Sequence, residues 1–192
     1  MTAVLYRGVI QLLGVSNMNL FGELSKYDGK RIGSLHTLAQ HLLTGDGSVD
    51  ELIVLSCSED TRIQTATTWV LKYLHEQNIS FSQKQTNELI QLACKNHHWE
   101  AKLHILQILP KLKISSQECD YLRNCFRDQK NSENKLVRTW TYNGLAVLAN
   151  QHSQFQSEVN DILNEAQHDP AASVRARIRK ICKSLSWVNL NE

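Results

Sequence analysis

From Ser48 onward, apolar side chains return along the chain at helical spacing, and one register is used four times. In Val137 to Leu148, VRTWTYNGLAVL, offsets 0, 4, 7, 8 and 11 hold Val137, Thr141, Gly144, Leu145 and Leu148, which share one stripe of an α-helix. Thr141 and Gly144 are small, and the spacing predicts that another backbone comes close there. The pattern recurs in Val174, Ile178, Ile181, Cys182 and Leu185, in Ala101, Ile105, Ile108, Leu109 and Leu112, and in Ile63, Thr67, Val70, Leu71 and Leu74. Their first positions lie 38, 36 and 37 residues apart, and the next residue is Gln64, Lys102, Arg138 or Arg175.

A shorter helical pattern precedes each stripe. Three of these open with capping signals, Ser48 with Glu51, Ser82 with Gln85 and Ser115 with Glu118. The fourth runs through Phe155, Val159, Ile162 and Leu163. Pro110 falls in the last turn of its helix and should kink or shorten it, whereas Pro170 suits a helix start. Residues 1–47 are less regular. An apolar run there predicts a helix ending near Gly14, Tyr27, Asp28 and Gly29 a turn, and Leu35, Leu38, Ala39, Leu42 and Leu43 a second helix. Helix pairs at 48–77, 82–112, 115–151 and 153–187, after an irregular pair at 1–47, make one all-α domain over 1–192. The expected architecture is an α-solenoid of about five antiparallel helix pairs, because two helices and a tight turn per period mark stacked repeats.

In Asp169-Pro170 followed by Val174-Arg175, in Val137-Arg138 with Leu145, and more weakly in Ala101-Lys102 and Ile63-Gln64, the chain resembles the HEAT-repeat family. The resemblance covers residues 48–185 well and 1–47 loosely. It implies an α-α superhelix whose second helices line the concave side, and an arginine after the valine that bonds acidic or backbone groups near the turn. Arg138 and Arg175 are then structural first, and Gln64 departs from the pattern.

Composition narrows the function. Hydrophobic content of 42% and charged content of 21% suit a folded globular chain. No run nears the roughly 20 apolar residues of a membrane span, so a soluble, cytoplasmic protein is expected. Five cysteines without a CxxC pair read as reduced thiols, mostly small core fillers. With 21 basic and 19 acidic residues the charge is balanced, against a dedicated non-specific nucleic-acid binder, although a local basic stripe is compatible with it.

Candidate chemistry is sparse. Trp69, Trp99, Trp140 and Trp187 lie on or beside the second helices, and offset 3 holds Ala66, His104, Trp140 and Arg177. A column of His104, Trp140 and Arg177 would set an aromatic ring between cations, suited to peptide or nucleic-acid contacts. The last helix, ASVRARIRKICKSL, has a basic polar face that a solvated cap explains. His97 with His98, His36 with His41, and Cys119 with Cys125 lack metal-ligand spacing. There is no GxGxxG, Walker lysine or nucleophile elbow, so no cofactor and no catalytic residue is assigned. Bacterial alkylpurine DNA glycosylases are HEAT-like and of similar size, with concave tryptophans and a catalytic aspartate. Here neither Trp99 nor Trp140 has an aspartate one turn beyond, and Glu100 adjoins Trp99, so no catalytic residue carries over. The sequence points to a non-catalytic module binding a protein or peptide through Lys102, Arg138, Trp140, Arg175 and Arg177. A nucleic-acid-binding relative of those glycosylases is the second reading.

Overall fold

The computed structural model describes residues 18–45, 48–95 and 98–189. Among them there is no β-strand, and the chain is a HEAT-like helical repeat. It divides into two compact units, one ending at Phe81 and the other starting at Ser82. The predicted helix ending near Gly14 lies outside the described residues.

The first unit contains α1 (Leu20–Leu24), α2 (Gly33–Leu43), α3 (Val49–Leu55) and α4 (Thr61–Glu76). The predicted turn at 27–29 forms around Asp28, whose Oδ1 accepts from the N–H groups of Lys30 and Arg31, with Gly29 at φ +84°. Ser48 caps α3 by accepting from Glu51 N, and Asp60 caps α4 by accepting from Arg62 N. α4 packs against α1, α2 and α3, burying Ile63, Val70, Leu71 and Leu74. Thr67 and Thr68 lie inside this helix with their hydroxyls donating to the carbonyls of Ile63 and Gln64, so burial leaves neither unpaired. Asn78 at φ +69° then ends the helix, as Ile79 N donates to Leu74 O and Asn78 N to His75 O.

The second unit contains three helix pairs: α5 (Gln83–Lys95) with α6 (Trp99–Ile108), α7 (Cys119–Gln129) with α8 (Lys135–Gln151), and α9 (Gln156–Ala166) with α10 (Ala172–Ser184). Ser82 and Gln85 form the full reciprocal capping box. Pro110 ends α6 at Ile108 and turns Leu109–Lys111 into a 3-10 segment, as its missing N–H requires. α8 packs against α6, α7, α9 and α10, which makes it the central helix of this unit. Ile63, Ala101, Val137 and Val174 are each the third residue of their helix and all are buried, so the predicted register is set at the helix starts.

Three expectations are corrected. Ser115 and Glu118 make no capping box: α7 starts at Cys119, Ser115 O accepts from Glu118 N, and Glu118 instead accepts from Gln91 Nε2. Gly144 makes room for side chains rather than for a backbone. A Cβ built there would lie 2.8 Å from two ring atoms of Phe126 and 3.2 Å from Leu109 Cδ2. The five cysteines are not all reduced thiols. Cys94 on α5 and Cys125 on α7 form a disulfide, while Cys57, Cys119 and Cys182 are free. The two bonded positions are 31 residues apart in sequence and belong to successive repeats, so no local spacing motif announces the pair.

Candidate functional site

Three of the four residues after a stripe's first position, Gln64, Arg138 and Arg175, bond to the turn before their helix. Asn134 caps α8 by accepting from the N–H groups of Leu136 and Val137, which starts the helix so that Arg138 reaches back to the turn. Arg138 Nη1 donates to Ser132 O at 2.7 Å and Glu133 O at 3.1 Å, and Nε and Nη2 grip the two Asp169 oxygens at 3.0 and 3.1 Å. Arg175 repeats the backbone part, donating to Asp169 O at 2.7 Å and Pro170 O at 3.0 Å. Gln64 reaches back in the same way, donating to Ser58 O at 3.4 Å. A shorter amide thus preserves the link to the turn but cannot fork a carboxylate.

Burial pushes the Asp169 carboxyl up, but the Arg138 fork, the Ala171 N–H and the charges of Arg138 and Arg175 outweigh it and hold the group below the usual carboxylate range. The hydrogen bond that Arg138 donates to Asp169 in turn raises the guanidinium above its ordinary value. The guanidinium of Arg138 is therefore occupied by the fold. Lys102 is half-buried, and burial lowers its ammonium below the ordinary lysine value.

Trp140 and Arg177 are brought together. The guanidinium carbon of Arg177 on α10 lies 4.3 Å from the Trp140 ring centroid on α8, within cation–π range. The third member of the expected column is absent from the surface, because His104 is buried within α6. The substitute is an outward stripe on α8, Leu136, Trp140, Asn143 and Val147, at offsets 0, 4, 7 and 11. All four are half-buried or exposed, with Leu136 at 39%. The same spacing that marks the inner stripe thus occurs twice on α8, one position out of phase, and that signal was available in the sequence.

Beside this stripe lies a hollow of about 150 Å³. Its lining includes Pro110 after α6, Asn143, Ala146, Val147 and Asn150 on α8, and Ile181, Ser184 and Leu185 at the end of α10. The Trp187 indole N–H donates to Asn150 Oδ1 at 3.3 Å, fixing the chain after α10 at one end of it.

Charge is sorted by helix in this unit. α8 and α10 hold no carboxylate, and α6 holds Glu100 alone, against Lys102, Lys135, Arg138, Arg175, Arg177, Arg179, Lys180 and Lys183. The first helices carry the acids. Glu158 on α9 meets Arg123 and Arg127 of α7 at 3.6 and 3.5 Å, and Glu165 meets Lys130 at 3.4 Å. Among the described residues no ion pair engages Arg177, Lys180 or Lys183. No three His, Cys, Asp or Glu side chains converge as metal ligands among them either.

The first unit holds a cluster that sequence reasoning missed. Trp69 stacks on Tyr73 at 5.4 Å, His36 meets the Tyr73 ring edge-on at 5.1 Å, and Gln40 Nε2 donates to the Tyr73 hydroxyl at 2.6 Å. His36 and Tyr73 are 37 residues apart, one repeat, and that spacing is the signal that pairs them. Against known proteins, a family model described as HEAT repeat domain matches residues 25–185. No curated protein and no solved structure matches the chain.

Proposed function

Because the chain belongs to the HEAT-repeat family, we propose that it is a non-catalytic interaction module or scaffold that binds a protein or peptide on the second-helix face of its second unit. The observation that carries this reading is the Trp140–Arg177 pair, an aromatic ring and a cation held together beside a hollow on helices that bear almost no acid. Trp and Arg dominate the energetics of protein interfaces, since each offers a large, partly rigid contact area with a polar edge. In this reading Trp140 and Arg177 contact the partner, Lys102 adds charge, and Arg138 and Arg175 hold the turns on which α8 and α10 are mounted.

A cytoplasmic location does not follow from the cysteines, since a disulfide persists most readily in an oxidising compartment. Among the described residues no helix is long and apolar enough to cross a membrane. The unpaired cations also suit a nucleic-acid backbone, the second reading. Affinity capture from the native cell, with and without nuclease, using wild type against Trp140→Ala plus Arg177→Ala, tests both. We expect nuclease-resistant protein partners that the double variant loses; identical partner lists from both proteins would show that this face is not the binding surface.

A further inference from the structure

The hollow is small. Pockets for drug-sized ligands begin at roughly 300 Å³, and about 150 Å³ accommodates one apolar side chain. Ala146, Val147, Ile181 and Leu185 line it beside the polar Asn143 and Gln151, and the four offer a side chain of that kind apolar contact. Ser184 lines it, and Arg177 and Lys180 precede Ser184 at three- and four-residue steps, so the three share one stripe of α10. Arg177 has its guanidinium carbon 4.3 Å from the centre of the Trp140 ring, and among the described residues its N–H groups have no hydrogen-bond partner. The ring contact holds the guanidinium near Trp140, and its N–H groups can fork a carboxylate.

We propose that the occupant of this face is an acidic segment of a protein partner, which places one apolar side chain in the hollow and its carboxylates on Arg177 and Lys180. The proposal rests on the reading of this face as protein-binding. Charge complementarity selects the sign, since no carboxylate of α8 or α10 is present to satisfy these cations internally. A nucleic-acid duplex is less well served. Several of the basic residues are already spent on the turns or lie half-buried, whereas duplex binders neutralise on the order of six to ten phosphates.

Random peptides displayed on phage are selected on the immobilised full chain, as wild type, as Trp140→Ala and as Arg177→Glu plus Lys180→Glu, with a 20-bp DNA duplex assayed separately on each, at roughly physiological ionic strength. We expect wild type to enrich peptides in which Asp or Glu flanks Leu, Ile or Phe, and the charge-reversed variant to bind them about tenfold more weakly or worse. Lys180→Glu alone, at an exposed position, should reproduce part of that loss without disturbing the fold. Enrichment of neutral or basic peptides that still need Trp140 would overturn the acidic partner and leave the protein-binding reading standing. Acidic peptides bound equally by wild type and the charge-reversed variant would overturn the placement on Arg177 and Lys180. Retention of the duplex with no peptide enrichment would overturn both.

Discussion

At the scale of single residues, the contact with most consequence is the fork of Arg138 on Asp169, whose side chains are 14% and 7% exposed. It ties α8 to the turn of the following repeat, while Arg175 ties that turn to its own helix. Asp169→Ala leaves a largely buried guanidinium with only its carbonyl partners, and we expect a loss of roughly 3 kcal/mol at pH 7 in urea unfolding. The carboxyl is depressed in the folded state, so its contribution is full above the ordinary carboxylate range near ~4. It is lost as pH falls through the lower folded-state value. The stability gap between wild type and variant should therefore close below about pH 4, and a gap unchanged at low pH would show that Asp169 contributes through uncharged contacts such as its bond from Ala171 N–H and not through the ionised fork.

At the scale of elements, α8 is decisive because it meets four other helices and presents two stripes to different surroundings. Its inner stripe is built around a missing Cβ. Phe126 and Leu109, which would collide with one at Gly144, are both fully buried and have nowhere to retreat. Alanine is normally the better helix former by about 1 kcal/mol. In Gly144→Ala overpacking of about 1 to 3 kcal/mol opposes that gain. We expect net destabilisation, seen as a lower urea midpoint with an unchanged slope; a raised midpoint would mean that the Phe126 ring yields. The inner stripe was legible from spacing alone. The use of Gly144 was not, because a small residue at a helix contact admits either a backbone or a ring, and only the neighbouring helix decides which.

At the scale of the whole molecule, a net charge of +2 conceals how the second unit sorts its charges, with most acids on the first helices and, on α10, Arg177, Lys180 and Lys183 outside any ion pair among the described residues. That arrangement leaves the first-helix side held by mutual attraction and by the Cys94–Cys125 bond. Closing a loop of 31 residues removes unfolded-state entropy worth about 3 to 4 kcal/mol. Cys94→Ser plus Cys125→Ser should lower unfolding stability by up to about that amount. Reductant should do the same to wild type and nothing to the variant. Alkylation without reductant should label three cysteines after unfolding, Cys57 first in the native state because it is exposed and Cys119 last because it is buried; five labelled without reductant would remove the disulfide from the account.

Periodicity along the chain by itself determined the class of fold and the positions of the repeating helices, because apolar side chains every three or four residues must share a helix face and a helix this short must share that face with a neighbour; the anchoring role of Arg138 and Arg175 came from the resemblance to the HEAT-repeat family. Periodicity also brought Trp140 and Arg177 into one column, since equivalent positions of successive repeats stand side by side. Tertiary structure decided which members of the column reach the surface: His104 sits in the core of α6 while Trp140, at the same offset, stays outside. It decided too that Cys94 meets Cys125, that Tyr73 meets His36 and Gln40, and that a hollow opens beside Asn143. These depend on distances between helices that no single helix encodes, because each is set by the side chains of two or three segments packed at once.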